Sequence, residues 1–321
     1  MPDIRRVRIA HLPTPIEELP RLSKFLGGPR LLVKRDDQTG LAFGGNKTRK
    51  LEFLVAEAQA LRANMLITAG ALQSNHCRQT AAAAARFGLD CKLILSGELP
   101  ERPDANLWLD QLFKAELIYA DRSRRDEILQ ATYDDARQQG RRPYLVPFGG
   151  SSATGALGYA FAMQEYVEQN VDADWIVFPS SSAGTQAGMM LGARVFECKV
   201  KVLGISVDEP QRNLQQRVAA LAIETSRRLG SRIRFLADEV AVNADYCAAG
   251  YGVLTEAERE AIHMFAQLEG LLIDPVYTGR AAAGMIDLIR KGFFKKDETV
   301  LFWHTGGTPA LFAEKYASAL I

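Results

Sequence analysis

Short apolar segments alternate with helix-patterned segments along most of this chain. Residues 65–68, 91–95 and 175–179 are apolar runs of strand length, and each precedes a segment whose apolar residues recur at helical spacing. Strands that alternate with helices form parallel sheets whose two faces are covered by helices. The pattern therefore predicts an α/β protein with open, twisted parallel sheets. At 321 residues, two domains are expected.

Composition and charge narrow the class of protein. The net charge of +1 gives no basis for binding nucleic acid or a membrane surface, since such partners normally require a strong basic bias. No apolar run approaches the roughly 20 residues that span a bilayer, and the first residues lack the apolar segment of a secretory signal. The four cysteines show neither metal-site spacing nor a dense disulfide pattern. We therefore expect a cytoplasmic globular protein without a metal site.

Residues 43–50 combine two glycines, an asparagine and three cations where a loop becomes a helix. A cation in the first turn is disfavoured, because unpaired N–H groups and the helix dipole make that end positive. Helix stability therefore does not explain Lys47. Such surroundings, with Arg49 and Lys50 close by, lower the pKa of an ammonium and favour the neutral amine that Schiff-base lysines need. The alternative is a solvated basic patch that binds an anion.

Residues 180–185 form a serine- and glycine-rich loop between a strand and a helix of small residues. In α/β folds, ligands bind beyond the carboxyl ends of strands, at loops of this kind. Backbone N–H groups and the Thr185 hydroxyl suit a phosphate at the helix N-terminus. A dinucleotide fingerprint and a Walker lysine are both missing, which disfavours a nucleoside triphosphate. The alternative is a tight turn that needs small residues.

Residues 73–76 begin another helix, directly after an apolar strand. Backbone N–H groups and the Ser74 hydroxyl suit a carboxylate, and Asn75 suits a phenolic oxygen. A helix N-cap formed by Ser74 or Asn75 is the structural alternative. His76 belongs to a residue type used for acid/base chemistry, although an isolated histidine is more often a packing or surface residue.

Three further loops carry hydroxyl groups. Tyr277 and Thr278 are adjacent in residues 274–279, Tyr251 lies between two glycines, and Thr305 follows the final apolar strand. Phenols can relay protons or bind a thiol or carboxylate. Aromatic core anchors and a plain turn are the alternatives. Together, the loops predict a lysine, a phosphate site, a carboxylate site and neutral partners for an aromatic ring, which is what pyridoxal phosphate bound as a Schiff base requires.

Five motifs follow one another along the chain, at residues 44–52, 70–76, 182–185, 274–279 and 304–307. Their sequences and order resemble those of the D-cysteine desulfhydrase / 1-aminocyclopropane-1-carboxylate deaminase family, which are fold-type II pyridoxal-phosphate enzymes related to tryptophan synthase β. The resemblance covers nearly the whole chain. It implies pyridoxal 5'-phosphate as cofactor, a small amino acid as substrate and a homodimer. It also implies a large domain (residues 1–51 and 161–321) with a smaller domain (52–160) inserted.

The resemblance also implies a role for individual residues. Lys47 would form the Schiff base and move the substrate Cα proton, and Asn75 would hydrogen-bond the cofactor's phenolic oxygen. The phosphate would be held by Lys50, Ser182, Ala183, Gly184 and Thr185. Thr278 would face the pyridine nitrogen, and Thr305 would also lie beside the cofactor. The substrate site would consist of Gln73, Ser74, Asn75, His76, Tyr251 and Tyr277, with Lys47, Ser74 and the two tyrosines in catalytic roles.

Thr278 stands where the deaminases carry glutamate. A carboxylate keeps the pyridine nitrogen protonated, as opening a cyclopropane ring requires, whereas a neutral hydroxyl suffices when a good leaving group departs. The resemblance therefore implies a lyase that converts D-cysteine to pyruvate, ammonia and hydrogen sulfide. The closest alternative is L-cysteate sulfo-lyase, for which Arg78 is a candidate sulfonate partner, although a surface arginine is expected. 1-Aminocyclopropane-1-carboxylate deaminase comes next, and a small-anion binding protein is the non-enzyme alternative.

Overall fold

The computed structural model describes residues 4–321, so residues 1–3 of the predicted large domain lie outside the described residues. The strands are β1 (Ile16–Glu18), β2 (Arg30–Arg35), β3 (Met65–Ala71), β4 (Asp90–Ser96), β5 (Glu116–Tyr119), β6 (Pro143–Leu145), β7 (Trp175–Ser180), β8 (Lys201–Ser206), β9 (Val242–Asn243) and β10 (Thr299–His304). The α-helices are α1 (Pro20–Leu26), α2 (Asn46–Ala60), α3 (Asn75–Arg86), α4 (Ala105–Leu112), α5 (Arg125–Gln138), α6 (Ala153–Glu168), α7 (Gly184–Val195), α8 (Gln211–Arg228), α9 (Glu256–Glu269), α10 (Thr278–Arg290) and α11 (Glu314–Leu320).

The larger sheet has the strand order β1-β2-β10-β7-β8-β9. Its pairs are parallel except for β1 with β2, which run antiparallel. The sequence pattern predicts parallel pairing, and the difference is confined to a three-residue edge strand. An edge strand bonds to one neighbour only, so its reversed direction leaves the parallel register of the interior strands unchanged.

The smaller sheet has the order β5-β4-β3-β6, and every pair is parallel. Its strands lie between residues 65 and 145, inside the range 52–160 predicted for an inserted domain. Two parallel sheets covered by helices confirm the predicted fold class. The domain boundaries themselves stay a prediction.

Helices cover both faces of the larger sheet. Residues 31–33 of β2 and residues 300–303 of β10 are buried without exception. Successive side chains of a strand point to opposite faces, so unbroken burial means that both faces are packed against other elements. Within residues 4–321, no helix has the combined length and apolar character needed to cross a membrane.

A cluster of buried charges anchors the first turns of α2 to the larger sheet. The Arg49 guanidinium lies 2.7 Å from a carboxylate oxygen of Asp36 and 2.9 Å from one of Glu165, and Lys34 Nζ lies 2.5 Å from Glu165. Burial raises the pKa of the Asp36 carboxyl, but Arg49 and Lys34 outweigh it and lower the pKa to about 2. Since Arg49 and Lys50 are both buried, the alternative of a solvated basic patch is wrong.

Candidate active site

Loops from both sheets converge on a cavity of about 670 Å³. Its wall includes the end of β3 with the following loop (71–76), the end of β7 with the following loop (179–183) and the residues after β10 (305–306). Lys47, Tyr251 and Tyr277 also line it. The carboxyl ends of parallel strands meet at one edge of a sheet, which is why segments far apart in sequence reach the same space.

Lys47 lies in the first turn of α2 and lines the cavity. Its Nζ is 3.1 Å from Asn46 Oδ1 and 5.9 Å from the centroid of the Tyr277 ring. The helix begins after Gly45, whose φ of 122° is accessible to glycine and strained for other residues. This turn places the amine at the cavity wall instead of in solvent.

The pKa of the Lys47 amine is lowered to about 8. Loss of solvation is the main cause and the Arg78 cation is the second, while Asp274 acts in the opposite direction. A lowered pKa agrees with the prediction from the helix N-terminus and the nearby cations, but Arg49 is not among its causes. Arg49 is paired with a carboxylate instead, so its charge is compensated.

Lys50 and the loop after β7 meet at Ser151. Lys50 Nζ donates to the carbonyl oxygen of Gly149 at 3.0 Å and to Ser151 Oγ at 3.4 Å. Ser151 Oγ lies 2.8 Å from Ser182 Oγ and accepts from the backbone N–H of Gly184 at 3.2 Å. Three segments that are far apart in the sequence therefore form one polar corner.

This corner suits an anion. Lys50 is buried, and within residues 4–321 its ammonium bonds to neutral oxygens and to no carboxylate. Burial and the Lys47 charge lower the pKa of Lys50, because a buried cation without a counter-ion is costly. Gly184 begins α7, whose first-turn N–H groups lack intrahelical acceptors. A Cβ atom at Gly184 would lie 2.6 Å from Ser151 Oγ, so this close approach needs glycine.

Ala183 and Thr185 flank the same corner and line the cavity. Ala183 holds a left-handed backbone conformation with a φ of 68°, which turns the loop into α7. Thr185 Oγ1 accepts a hydrogen bond from Asn46 Nδ2 at 3.2 Å. This bond joins the loop after β7 to the turn that carries Lys47.

Ser74 is the N-cap of α3. Its Oγ accepts from the backbone N–H of Cys77 at 3.2 Å, so the structural alternative holds for this residue. A serine hydroxyl that accepts one hydrogen bond still carries a hydrogen to donate. Ser74 can therefore cap the helix and bind a carboxylate at the same time.

Gln73 and Asn75 differ in the atoms that they leave free. Gln73 Nε2 donates to Asp104 Oδ1 at 2.6 Å, and Gln73 Oε1 accepts from the Asn106 N–H at 3.0 Å, so this amide is used within the protein. Asn75 Oδ1 accepts from Arg78 at 2.7 Å and from Asn106 at 3.1 Å. Among residues 4–321, Asn75 Nδ2 forms no hydrogen bond and stays available to a ligand.

His76 is buried, and Thr68 fixes its ring. Its Nε2 lies 2.8 Å from Thr68 Oγ1, and the Thr68 hydroxyl donates to the carbonyl oxygen of Val146 at 2.8 Å. A hydroxyl has one hydrogen, so Nε2 must carry the ring proton. Burial and the charges of Lys47 and Lys50 lower the pKa of His76 well below its usual range. The imidazole is neutral, which disfavours a role as general acid.

Tyr251 and Tyr277 form a pair in the cavity wall. Their phenol oxygens lie 2.9 Å apart, and their rings meet edge to face with centroids 5.9 Å apart. Burial raises the pKa of both phenols. Both are therefore neutral at physiological pH and are proton donors.

Thr278 and Thr305 lie in different surroundings. The fully buried Thr278 hydroxyl donates to Asp274 Oδ1 at 2.7 Å and accepts from the Asp274 N–H at 2.7 Å. Thr278 is outside the set of residues that line the cavity, whereas Thr305 lines it. The contact of Thr278 with a ring nitrogen stays a prediction, and its one hydroxyl hydrogen is engaged with Asp274.

Two residues of the site, Ser151 and Asp208, have no role in the sequence-based prediction, and a third, Arg78, is predicted to lie at the surface. Ser151 follows a strand and a glycine pair, the same pattern that identifies the other loops, so a signal for it existed. Arg78 is fully buried, and the expectation of a surface arginine is wrong, because polar residues on an alanine-rich helix do not reveal that α3 is covered on most sides. Asp208 lines the cavity with an oxygen that has no hydrogen-bond partner within residues 4–321, and burial raises its pKa.

A partly neutral lysine amine beside an anion site, with a free amide donor in the wall of the same cavity, is suited to holding a phosphorylated aldehyde. The residues present thus fit a cofactor that bonds covalently to Lys47 and places a phosphate near Lys50. The fold and the cavity define an enzyme that uses a phosphorylated carbonyl cofactor.

Comparison with known proteins agrees with that class. The model of the family described as pyridoxal-phosphate dependent enzyme matches residues 7–306, and the chain belongs to this family. D-cysteine desulfhydrase of Salmonella newport (strain SL254) is 43% identical over 317 residues, which cover 96% of this chain and 95% of that protein. D-cysteine desulfhydrase of Salmonella typhi is 44% identical over the same shares. The predicted family resemblance and cofactor are confirmed.

Solved structures show the same architecture. A structure described as an ACC deaminase homologue superposes with a TM-score of 0.91 and 35% identity, and the match covers 99% of this chain and 96% of that one. A threonine deaminase from T.th. superposes with a TM-score of 0.64 over 92% of each chain. At 18% identity, the second match shows the fold alone.

Proposed function

We propose that the chain is a carbon–sulfur lyase that converts D-cysteine to pyruvate, ammonia and hydrogen sulfide. The similarity to the D-cysteine desulfhydrases over 96% of the chain supports this activity. The observation that carries it is the pairing of a base with a neutral acid at one cavity: the Lys47 amine lies over the Tyr277 ring, and the hydroxyls of Tyr277 and Tyr251 are joined. Elimination of sulfide needs a base to remove the Cα proton and an acid to protonate the departing sulfur.

Particular residues would hold the cofactor in this reaction. Lys47 would bind it covalently, Lys50 with residues 182–185 would hold its phosphate, and the free Asn75 Nδ2 would donate to its phenolic oxygen. Thr305 would lie beside the ring, with Thr278 behind it. When bound, pyridoxal phosphate withdraws electrons from the substrate Cα and so acidifies the Cα–H bond.

The protein groups would then divide the proton transfers. The Ser74 hydroxyl and the N–H groups at the start of α3 would bind the substrate carboxylate. Lys47 Nζ, released when the substrate amine takes its place and with a pKa of about 8 as a free amine, would remove the Cα proton. The C–S bond would break with its electron pair moving to sulfur, which would take a proton from the tyrosine pair. The released aminoacrylate hydrolyses to pyruvate and ammonia.

Deamination of 1-aminocyclopropane-1-carboxylate is the second candidate, because an ACC deaminase homologue shares this fold at 35% identity. Thr278 argues against it, since a neutral hydroxyl does not protonate a ring nitrogen. Sulfo-lyase activity on L-cysteate is disfavoured, because Arg78 is not free to bind a sulfonate. Its guanidinium is buried and bonded to Asn75, Asn106 and the carbonyl oxygen of Gly44.

Product release from four substrates tests the proposal. Pyruvate, sulfide, sulfite and ammonia would be measured with D-cysteine, L-cysteine, L-cysteate and 1-aminocyclopropane-1-carboxylate, with Lys47→Ala as the control. We expect pyruvate and sulfide from D-cysteine, and none from the variant. Sulfite from cysteate alone would contradict the proposed substrate. Ammonia from the cyclopropane substrate would contradict the argument from Thr278, and a colourless protein would favour an anion-binding protein.

We further propose a cytoplasmic homodimer with the two-domain division given above. The assembly and the domain boundaries are supported by the family resemblance, and the location by four cysteines that are all free thiols. Light scattering after size exclusion would test the dimer. Hydrogen exchange would test the division, since the strands within residues 52–160 are expected to exchange as a unit separate from the larger sheet.

A further inference from the structure

Arg78 is a buried cation that bonds to groups on two sides of the active-site wall. Its side chain is fully buried on α3, one turn after Asn75. One terminal nitrogen donates to Asn75 Oδ1 at 2.7 Å and to Asn106 Oδ1 at 2.6 Å. The other donates to the carbonyl oxygen of Gly44 at 3.1 Å, three residues before Lys47.

These bonds determine which end of the Asn75 amide is free. Asn75 Oδ1 accepts from the Arg78 guanidinium and also from Asn106 Nδ2 at 3.1 Å. Both partners are donors, so an amide turned the other way would face donors with its own NH₂ group. The amide therefore keeps its oxygen toward the protein and its Nδ2 available to a ligand.

Asn106 bonds to Gln73 as well as to Asn75, and so holds the segment before α3. Its Nδ2 donates to the carbonyl oxygen of Gln73 at 3.0 Å, and its backbone N–H donates to Gln73 Oε1 at 3.0 Å. Asn106 is fully buried. The loop that begins α3 is thus fixed through Asn106 from α4 and through Arg78 from α3 itself.

The charge of Arg78 is only loosely compensated. Asp110 and Asp274 are the buried carboxyls that act on it, Asp110 the more strongly, yet both Asp110 oxygens and Arg78 Nε lack hydrogen-bond partners within residues 4–321. Burial raises the pKa of Asp110 to about 8, so at neutral pH the carboxyl is largely protonated. Arg78 therefore remains an incompletely neutralised cation near Lys47. The other charges that interact with the Lys47 ammonium are those of Asp274 and Lys50.

We propose that Arg78 is a positioning residue: it orients the Asn75 amide so that Nδ2 points to the cofactor's phenolic oxygen, and it ties that amide to the turn before Lys47. Arg78 itself does not touch the cofactor. The inference rests on the proposed role of Asn75, and it explains why an arginine is buried here at all. A lysine has the charge but lacks the planar fork that reaches acceptors on two segments.

A double-mutant cycle between Arg78→Lys and Asn75→Ala tests the proposal. The readout is the dissociation constant of pyridoxal phosphate for the cofactor-free protein, measured by visible absorption and independent of turnover. We expect Arg78→Lys to weaken binding about 10-fold in the wild-type background, as for the loss of one charge-assisted hydrogen bond. In the Asn75→Ala background we expect less than about a 2-fold effect, because no amide is left to orient.

Equal weakening in both backgrounds would overturn the proposal, as would no weakening in either, since a merely structural arginine acts independently of Asn75. Melting of the cofactor-free variants checks that they fold. If Arg78→Lys does not fold, Arg78→Gln replaces it in the cycle, and coupling with Asn75→Ala supports the proposal while additivity overturns it. The protein could show the expected coupling between Arg78 and Asn75 in cofactor binding and yet not turn over D-cysteine. That outcome would count against the proposed function and leave this inference intact.

Discussion

The phenol oxygen of Tyr251 lies 2.9 Å from that of Tyr277, so the hydrogen of one phenol is held by the oxygen of the other. Burial raises the pKa of both phenols, so both keep their hydrogens at physiological pH. Either phenol can be the donor within the pair. The phenol that accepts keeps its own hydrogen for the departing sulfur.

Replacing each phenol separately identifies the proton donor to sulfur. Of Tyr251→Phe and Tyr277→Phe, the variant that removes this donor should lower kcat for D-cysteine about 100-fold. The other should lower kcat about 10-fold, because it removes only the hydrogen bond that supports the donor. The double variant should resemble the more damaged single variant. Losses below about 3-fold in both single variants would contradict proton donation by the tyrosine pair.

Lys50→Met should raise the melting temperature of the cofactor-free protein but weaken its binding of pyridoxal phosphate. The buried ammonium lacks a carboxylate partner within residues 4–321, so its removal should raise the melting temperature of the cofactor-free protein. Loss of the phosphate's cation should weaken pyridoxal phosphate binding about 10- to 100-fold, and with it the ligand-induced rise in melting temperature. Lys199→Met, at an exposed lysine, serves as the control. Equal lowering of both melting temperatures would contradict an anion site at Lys50.

Acylation of Lys47 should show the lowered pKa directly. With a pKa of about 8, the amine of the cofactor-free protein is neutral in about one molecule in ten at pH 7 and in half at pH 8. Its reaction with an uncharged acylating reagent, followed by mass spectrometry, should accelerate steeply up to pH 8 and level off above it. The side-chain amine of Nα-acetyl-lysine added to the same sample should continue to react faster at higher pH. Identical profiles for the two amines would contradict a perturbed Lys47.

Asp36→Asn should destabilise the fold without touching the cavity. The variant removes one of the two carboxylates, Asp36 and Glu165, that pair with the buried Arg49, and breaking a buried ion pair typically costs about 3–5 kcal/mol in the free energy of unfolding. Urea unfolding of the cofactor-free protein at pH 7 would measure this loss, with the exposed Asp172→Asn as the control. A change below about 1 kcal/mol would show that the pair is not a main anchor of α2.

The same pair has a predictable dependence on pH. The pKa of Asp36 in the folded protein, about 2, lies below its ordinary value of 3.8, so the folded state favours the ionised carboxylate. Its contribution to stability is therefore complete above the ordinary value and is lost as the pH falls through about 2. The difference in unfolding free energy between wild type and Asp36→Asn should shrink over that range. A constant difference from pH 6 to pH 2 would contradict the assignment.

Local patterns in the sequence predict most of the fold and the identity of most groups at the site. The apolar runs that become β3, β7 and β10 are visible as strands, and the loops that follow them are visible as ligand loops. The antiparallel strand β1 cannot be recognised in the sequence, because three residues at a sheet edge carry no periodic signal. Lys47 is identifiable from the chemistry of its turn, whereas the source of its lowered pKa is not.

By itself, the sequence determined the class of fold, the cofactor and the residue types that bind it, because periodicity and short motifs are local and each loop carries its own chemistry. Tertiary structure alone decided that Arg78 is buried, that Lys50 bonds only to neutral oxygens among the described residues and that two tyrosines 26 residues apart share a hydrogen bond. These properties depend on desolvation and on distances between segments remote in the chain. Neither desolvation nor these distances can be inferred from the residues adjacent in the sequence.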